Sequence, residues 1–371
     1  MASPKDTVAH LLSFADIKIN GNRPFDIQIK NERLYGRVLG NPQLGLGESY
    51  MDGWWDVEQL DQMAARLFSS DIQSKLRISP GIIKTIAVST ILNRQTVRRA
   101  KNNASSHYDI GNDLYEHMLD KNMIYSCAYW KDASNLDDAQ IAKLELICQK
   151  LHLKKGMTLL DIGCGWGGFA AYAAKNYGVK VTAITPAKEQ IKLARERTKN
   201  LSVTVLQNDY REIDGKFDRI VSIGMLEHVG PKNYKVFFEH CKEMLNDNGI
   251  MLHHTIGGNR SVNKTDPWID KYIFPGGVIP SLAQITQAIE NRLVVEDVHN
   301  FGPYYDKTLM AWHKNFVDSY PQLKDKYDIR FYRMWDFYLL TCAALFRTRH
   351  MQLWQIVTRK IESSDTYIPF R

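Results

Sequence analysis

Apolar and polar positions fall into two rhythms along the chain. Over the first 70 or so residues, short apolar runs alternate with turns. Residues 25–30 (FDIQIK) alternate with period two, the pattern of a half-buried strand. The glycine-rich start of LGLGESYMDGWWD is expected as a loop, and residues 57–68 have helical spacing. From about residue 137 to 255 the rhythm changes. Residues 137–151, 169–176 and 188–200 space their apolar side chains as helices do, whereas 158–162, 179–184, 203–206, 219–223 and 250–255 are short apolar runs. Alternating strands and helices imply a parallel sheet covered on both faces, an α/β fold. Residues 301–371 hold 16 of the 40 aromatics, and MWDFYLLTCAALF there is helical in spacing, so this part is either a packed helical subdomain or an apolar wall for a greasy substrate.

Composition narrows the class. The chain has 371 residues, 44% hydrophobic and 24% charged, which fits two globular domains and excludes collagenous, disordered or disulfide-stapled chains. The net charge of +7 sits in one place: residues 72–108 contain no Asp or Glu but hold Lys75, Arg77, Lys84, Arg94, Arg98, Arg99 and Lys101. Such a segment is either a solvated linker or a docking site for phosphate groups, and it lacks the interleaved aromatics of single-strand nucleic-acid binding. Five cysteines without paired metal spacing indicate a reducing compartment and no metal site. No apolar run reaches the ~20 residues of a membrane span.

LLDIGCGWGG, residues 159–168, reads as a strand ending in a glycine loop before a helix. Glycines let the backbone approach a ligand, and the helix start offers free N–H groups. Gly163, Gly165 and Gly168 also satisfy GxGxxG, but the second strand ends at Ile184-Thr185-Pro186 without the acidic residue that a dinucleotide ribose needs. With Asp161 two residues before the first glycine, the loop resembles motif I of class I S-adenosylmethionine methyltransferases. Asp209 and Tyr210, after the third strand, stand where those enzymes hold adenine.

Further motifs sharpen the likeness: GESYMDGWWD (47–56), HYDIGNDLY (107–115), MIYSCAYW (123–130), GMLEHVGPKNY (224–234), LHHTIGG (252–258), DPWIDKYIFPGG (266–277) and FGPYYDKTLMAW (301–312). Together they resemble the cyclopropane-fatty-acyl-phospholipid synthases over nearly the whole chain. The mycolic-acid cyclopropane synthases share the catalytic half. The resemblance implies a class I methyltransferase Rossmann-like doubly wound sheet, a smaller α+β N-terminal domain and a helical aromatic-rich C-terminal part. It divides the chain into a lipid-associated domain at 1–100 and a catalytic domain at 101–371, with the basic linker at 72–108.

The same resemblance implies the chemistry. A methyl group passes from S-adenosylmethionine to the cis double bond of a phospholipid acyl chain, and bound bicarbonate removes a proton so that a cyclopropane closes. The motif match assigns bicarbonate to Cys127, Glu227, His254, Ile256 and Tyr305, with Glu296 as a further acidic candidate. Cys342 matches a family cysteine but lies on an apolar helical run, where packing is the alternative. His253 and His254 are adjacent on an expected strand and face opposite sides, and the motif selects His254. The methyl donor is assigned to Tyr125, Ser126, Leu160, Asp161, Gly163, Cys164, Gly165, Trp166, Gly167, Gly168, Thr185, Pro186, Gln190, Asp209 and Tyr210. Pro186 removes a backbone donor where the family commonly has a small polar residue. The implied setting is the inner face of the cell membrane, visited from the cytoplasm by a homodimer whose basic segment docks on lipid headgroups, with no nucleic-acid partner.

Overall fold

The computed structural model describes residues 3–70 and 111–371. Lys75, Arg77, Lys84, Arg94, Arg98, Arg99 and Lys101 lie outside the described residues. The chain divides into two compact units, one made of Met1–Leu92, Thr265–Pro275 and Tyr305–Met351, the other of Asn93–Lys264, Gly276–Tyr304 and Gln352–Arg371.

In the first unit the helices Pro4–Ser13, Arg33–Gly40, Pro42–Met51 and Leu60–Ser69 accompany a two-residue antiparallel ladder of β1 (Gln28–Ile29) and β2 (Trp55–Asp56). Two sequence expectations change here. The period-two run at 25–30 yields only β1, because the buried Asp26 carboxylate gathers the amides of Lys18 and Arg23 and the Arg23 guanidinium, which turns the chain. The glycine-rich stretch is a helix rather than a loop. Asn41 caps it, Pro42 opens it, and its glycines serve close packing. A Cβ on Gly47 would lie 2.5 Å from the Trp268 indole, and one on Gly45 would lie 2.5 Å from the Arg37 carbonyl oxygen. Trp55, Tyr50, Trp268 and Phe337 interlock as tilted and edge-on rings in the core of this unit.

The second unit carries a seven-stranded sheet in the order β5-β4-β3-β6-β7-β9-β8. Its strands are β3 (Thr158–Ile162), β4 (Lys180–Ile184), β5 (Val203–Leu206), β6 (Phe217–Ile223), β7 (Leu245–Gly258), β8 (Leu293–Asn300) and β9 (Met351–Lys360). β3 to β7 pair in parallel, and β8 runs antiparallel to β9. Helices Leu136–Lys150, Gly168–Tyr177 and Lys188–Thr198 cover one face through Leu144, Ile147, Phe169, Ala173 and Ile191. Helices Tyr234–Met244 and Leu282–Ile289 cover the other through Phe237, Phe238 and Ile285. Each large apolar side chain so buried contributes about 1.5–3 kcal/mol. The expected doubly wound α/β sheet is therefore present. β8 and β9 were not legible in the apolar pattern: β9 buries Gln352, Gln355, Thr358 and Arg359 and so does not read as a core strand. The aromatic-rich C-terminal part forms the helices Pro303–Leu323 and Ile329–Arg347 before β9.

Strand order reverses at β3, with β4 and β5 on one side and β6 and β7 on the other. In such sheets a crevice opens beyond the carboxyl ends at the reversal, the usual place for a ligand. Among the described residues no helix is long and apolar enough to cross a membrane.

Candidate active site

β3 feeds directly into the glycine loop. Gly163, Gly165 and Gly167 take φ of 84°, 54° and 78°, a region that side-chain-bearing residues rarely enter, so the loop's path depends on them. The amides of Gly163 and Cys164 bond the Ile184 carbonyl and hold the loop to the end of β4. Gly168 opens the next helix for a different reason: a Cβ there would lie 2.3 Å from the Asn122 carbonyl oxygen. Trp166 is buried and donates from its indole to Asn112 at 3.0 Å. Its ring packs on Tyr115, which in turn meets Tyr125 edge-on. Asp161, the penultimate residue of β3, is buried, and its Oδ2 has no hydrogen-bond partner among the described residues. Burial pushes its carboxyl up to about 7 against the pull of Lys143.

The remaining donor candidates follow β4 and β5. Thr185 Oγ1 donates to Gln190 Oε1 at 2.9 Å and accepts the Ala187 amide, closing the turn that Pro186 enters. Gln207 donates to the Pro186 carbonyl, so this proline still takes part in the local bonding. Asp209 caps the short turn Tyr210–Glu212 and holds Arg211 with both oxygens, at 2.7 and 2.8 Å. Tyr210 is buried against Phe237.

A strap at residues 123–127 carries Tyr125, Ser126 and Cys127 past the loop. Asp120 fixes its start by accepting the amides of Asn122 and Ile124, and Met123 adopts φ of 56° there. From the helix Leu136–Lys150, Gln140 bonds the carbonyls of Ile124 and Ser126, and Lys143 donates to Ser126 Oγ at 2.9 Å. Cys127 is buried, with its thiol toward the Ala128 carbonyl at 3.3 Å.

Glu227 follows β6, and His254 lies on β7 opposite Ile223, the last residue of β6. Gly163 approaches Met225, two residues before Glu227, so the donor loop and this segment are neighbours. Glu227 Oε1 accepts the Ile256 amide at 2.6 Å; its Oε2 is buried and has no partner among the described residues. Burial pushes this carboxyl up to about 7, against the Ile256 amide, its own backbone amide and the Thr255 hydroxyl. His254 and Ile256 share one face of β7, since side chains two apart in a strand point the same way. His254 Nδ1 takes a long bond, 3.4 Å, from the Gln355 amide of β9, which leaves the proton on Nε2. That Nε2 is buried without a partner among the described residues. Burial, with Lys143 and Lys150 adding to it, keeps the ring well below the usual imidazole range and therefore neutral. His253 points to the other face, against Phe237 and Phe238, as alternation along the strand requires.

All of Cys127, Glu227, His254 and Ile256 belong to the second unit; Glu227 bonds Ile256, and the segment before Glu227 meets the glycine loop. Glu296 stands elsewhere, on edge strand β8, with Arg359 at 3.9 Å. Tyr305 and Cys342 belong to the first unit. Tyr305 packs there on Phe346 and Trp312. The Cys342 thiol is pushed up to about 12 by burial and stays protonated, as a packing thiol does. Sequence reading passed over Gln140, Lys143 and Gln355. The one available signal was a polar residue at a core position, as with Lys143 between Ala139 and Ile147 on the helix stripe. Among the described residues no group of His, Cys, Asp and Glu is arranged to hold a metal ion.

A neutral imidazole N–H and a carboxyl oxygen, both buried and unpaired, can hold and orient a small oxyanion. The glycine loop and helix start can hold a nucleoside-bearing ligand. The family model of mycolic acid cyclopropane synthetase matches residues 95–356. Cyclopropane-fatty-acyl-phospholipid synthase of Escherichia coli K12 is 51% identical over 354 residues, covering 95% of this chain and 93% of that protein. Cyclopropane mycolic acid synthase 1 of Mycobacterium tuberculosis is 35% identical, covering 70% of this chain and 96% of the relative. Among solved structures, mycolic acid cyclopropane synthase CmaA1 complexed with SAH and CTAB superposes with a TM-score of 0.65 at 34% identity, over 70% of this chain and 98% of that one. Coclaurine N-methyltransferase shares the fold, with a TM-score of 0.71 at 20% identity over 85% of this chain and 99% of that one. The chain belongs to the mycolic acid cyclopropane synthetase family and is a methyltransferase of the class I, S-adenosylmethionine-dependent kind.

Proposed function

We propose that the protein transfers a methylene from S-adenosylmethionine to the cis double bond of unsaturated acyl chains in membrane phospholipids and closes it into a cyclopropane. The observation that carries this reading is the pair of buried, unpartnered groups Glu227 Oε2 and His254 Nε2 beside the donor loop. The phospholipid substrate follows the E. coli relative at 51% identity.

The donor supplies an electrophilic methyl on a sulfonium. The glycine loop and the helix starting at Gly168 receive its nucleoside part, with Thr185 and Asp209 beyond the next strands and Gln190 in the helix Lys188–Thr198. Tyr125 and Ser126 on the strap close over it. An alkene is a weak nucleophile, so the pocket must hold it in line behind the methyl. Carbon–carbon bond formation then expels S-adenosylhomocysteine and leaves a carbocation on the acyl chain. Ring closure breaks a C–H bond of the new methyl; its electron pair completes the ring and the proton goes to a base. Bicarbonate fits the residues present. His254 Nε2–H donates to it and Glu227 orients its proton, with Cys127 and Ile256 as wall. Cys127 and Ile256 also exclude water, which would trap the cation as an alcohol.

In this reading residues 1–100 serve lipid association, 101–371 carry catalysis, and the enzyme works as a homodimer on the inner membrane face. The seven basic residues between 75 and 101 dock it on anionic headgroups, at up to about 1 kcal/mol each.

Incubation with S-adenosylmethionine and liposomes of monounsaturated phospholipid tests the reading. The lipid is expected to gain one CH2, lose its alkene signal and show upfield cyclopropane protons. Unchanged lipid mass across several headgroups would overturn it; a methyl-branched chain or an alcohol would keep methyl transfer and remove ring closure. Bicarbonate-depleted buffer is expected to slow turnover, with recovery on re-addition. Arg94, Arg98 and Arg99 changed together to Glu should weaken liposome binding and its salt dependence while leaving donor binding intact.

A further inference from the structure

Gln140 and Lys143 lie one turn apart on the helix Leu136–Lys150, and both are fully buried in a face that is otherwise largely apolar. Both reach the strap, Gln140 through the carbonyls of Ile124 and Ser126 and Lys143 through Ser126 Oγ. The chemistry above uses neither. An ammonium has only hydrogens to give, so Ser126 Oγ accepts in its bond with Lys143. The Ser126 hydroxyl hydrogen must then point elsewhere, and no acceptor for it is found among the described residues. Gln140 Oε1 is likewise buried without a partner among them.

We propose that Lys143 is a positioning residue that sets the polarity of Ser126: by donating to Oγ it turns the serine hydroxyl into an obligatory donor toward a bound oxyanion, the amino-acid carboxylate of the methyl donor. Gln140 fixes the height of the strap so that this hydrogen meets the ligand. The inference rests on the reading of Tyr125 and Ser126 as donor contacts.

Lys143 faces Asp120, Cys127 and Asp161, and its charge is felt at His254. Burial lowers it to about 8, against the pull of Asp120, Cys127 and Asp161. Below that pH the ammonium dictates the direction of the serine hydroxyl. Above it the neutral amine can accept instead, the hydroxyl can turn back, and the carboxylate loses its donor.

Calorimetric titration of the full chain with S-adenosylhomocysteine at about pH 7 and about pH 9.5 tests this. Wild-type affinity is expected to fall at the alkaline pH. Lys143→Met should bind about tenfold more weakly at neutral pH and lose that fall, apart from what the ligand's own amino group contributes, which the variant isolates. Ser126→Ala should match it, and the double variant should be no worse than either single one. Lys143→Arg, a donor at both pH values, should hold its affinity across the range. Removing one buried charge can destabilise the fold, so thermal melting accompanies each variant; Lys143→Leu, a second side chain without a donor, reads out the same effect if Met does not fold. If Lys143→Met binds as wild type while Ser126→Ala does not, the positioning role falls and the donor contact stands. If Ser126→Ala also binds as wild type, both fall. Repeating the titrations with added bicarbonate separates the sources of the oxyanion: a Lys143 effect that appears only with bicarbonate overturns the assignment to the donor's carboxylate.

Discussion

Two sets of buried titratable groups, one in each unit, are treated in opposite ways. In the first unit the carboxylates of Asp26, Glu48 and Asp336 are paired. Asp26 is encircled by Arg23 and two amides, Glu48 takes Arg37, Lys271 and Tyr272, and Asp336 receives the Tyr50 hydroxyl at 2.6 Å and the His313 ring at 2.7 Å. In the second, Asp161, Glu227 and His254 are as deeply buried, yet each keeps an atom with no partner among the described residues. An unmet buried polar atom costs roughly 1–3 kcal/mol, so a fold retains several in one place only where something else completes them. The three paired carboxylates serve stability, whereas Asp161, Glu227 and His254 keep positions that the proposed ligands would complete.

The largest effect that can break this contrast is on turnover. Glu227→Ala and His254→Ala are each expected to lower cyclopropane formation by about a thousandfold or more, with S-adenosylhomocysteine affinity little changed. Product mass spectrometry beside calorimetry separates the two quantities. Normal turnover in either variant would make these orphan atoms an accident of packing. In the first unit, Asp336→Ala should leave turnover chemistry alone but strand the Tyr50 hydroxyl and the His313 N–H. The expected loss is about 3 kcal/mol of unfolding free energy, read from urea titration of tryptophan fluorescence. A loss below about 0.5 kcal/mol would show that the pairing does not hold this unit together.

How far the sequence could be read follows the same division. The β3–loop–helix unit was legible because its signals are local: an apolar run bounded by Gly163, and glycines that the backbone angles require. Strand bounds at 158–162 and 203–206 agree with the structure, and the helix at 188–198 starts where its spacing places it. The glycines at 45 and 47 misled because close helix packing and a turn use the same residue. Lys143, Gln140 and Gln355 were invisible because a polar residue on a core face reads as a solvent face until the partner strand or strap is known. Glu227, His254 and Cys127 came from motif resemblance, and the structure adds the reason for two of them, a carboxyl and an imidazole left half-bonded at the ends of β6 and β7. Glu296 looked plausible because it is close to Tyr305 in sequence; the fold gives it an edge-strand position instead.

The smallest effect sharpens the comparison most, because one substitution should act with opposite sign in the two units. Burial would raise Glu48, but Lys271, Tyr272 and Arg37 outweigh it and hold its carboxyl at about 2, below the ordinary 4.5. Its stabilisation is therefore present above pH 4.5 and lost as pH falls through about 2. Glu48→Gln should destabilise the protein at neutral pH, and the difference should vanish in acid. Glu227 is shifted the other way, from 4.5 up to about 7, by burial. Its favourable contribution is complete below pH 4.5 and disappears as pH rises through about 7. Glu227→Gln should thus match wild type in acid and be more stable above neutral pH, by on the order of 1–3 kcal/mol. Melting temperatures of the two variants and wild type across the pH range test both signs in one experiment. Destabilisation by Glu227→Gln at alkaline pH would mean that this carboxylate is already satisfied within the fold, and the distinction between the paired and the unpaired groups would fail where it matters most. Added bicarbonate gives the complementary reading: by binding the native site it should raise the wild-type melting temperature more than that of the variant, since ligand affinity for the folded state adds directly to stability.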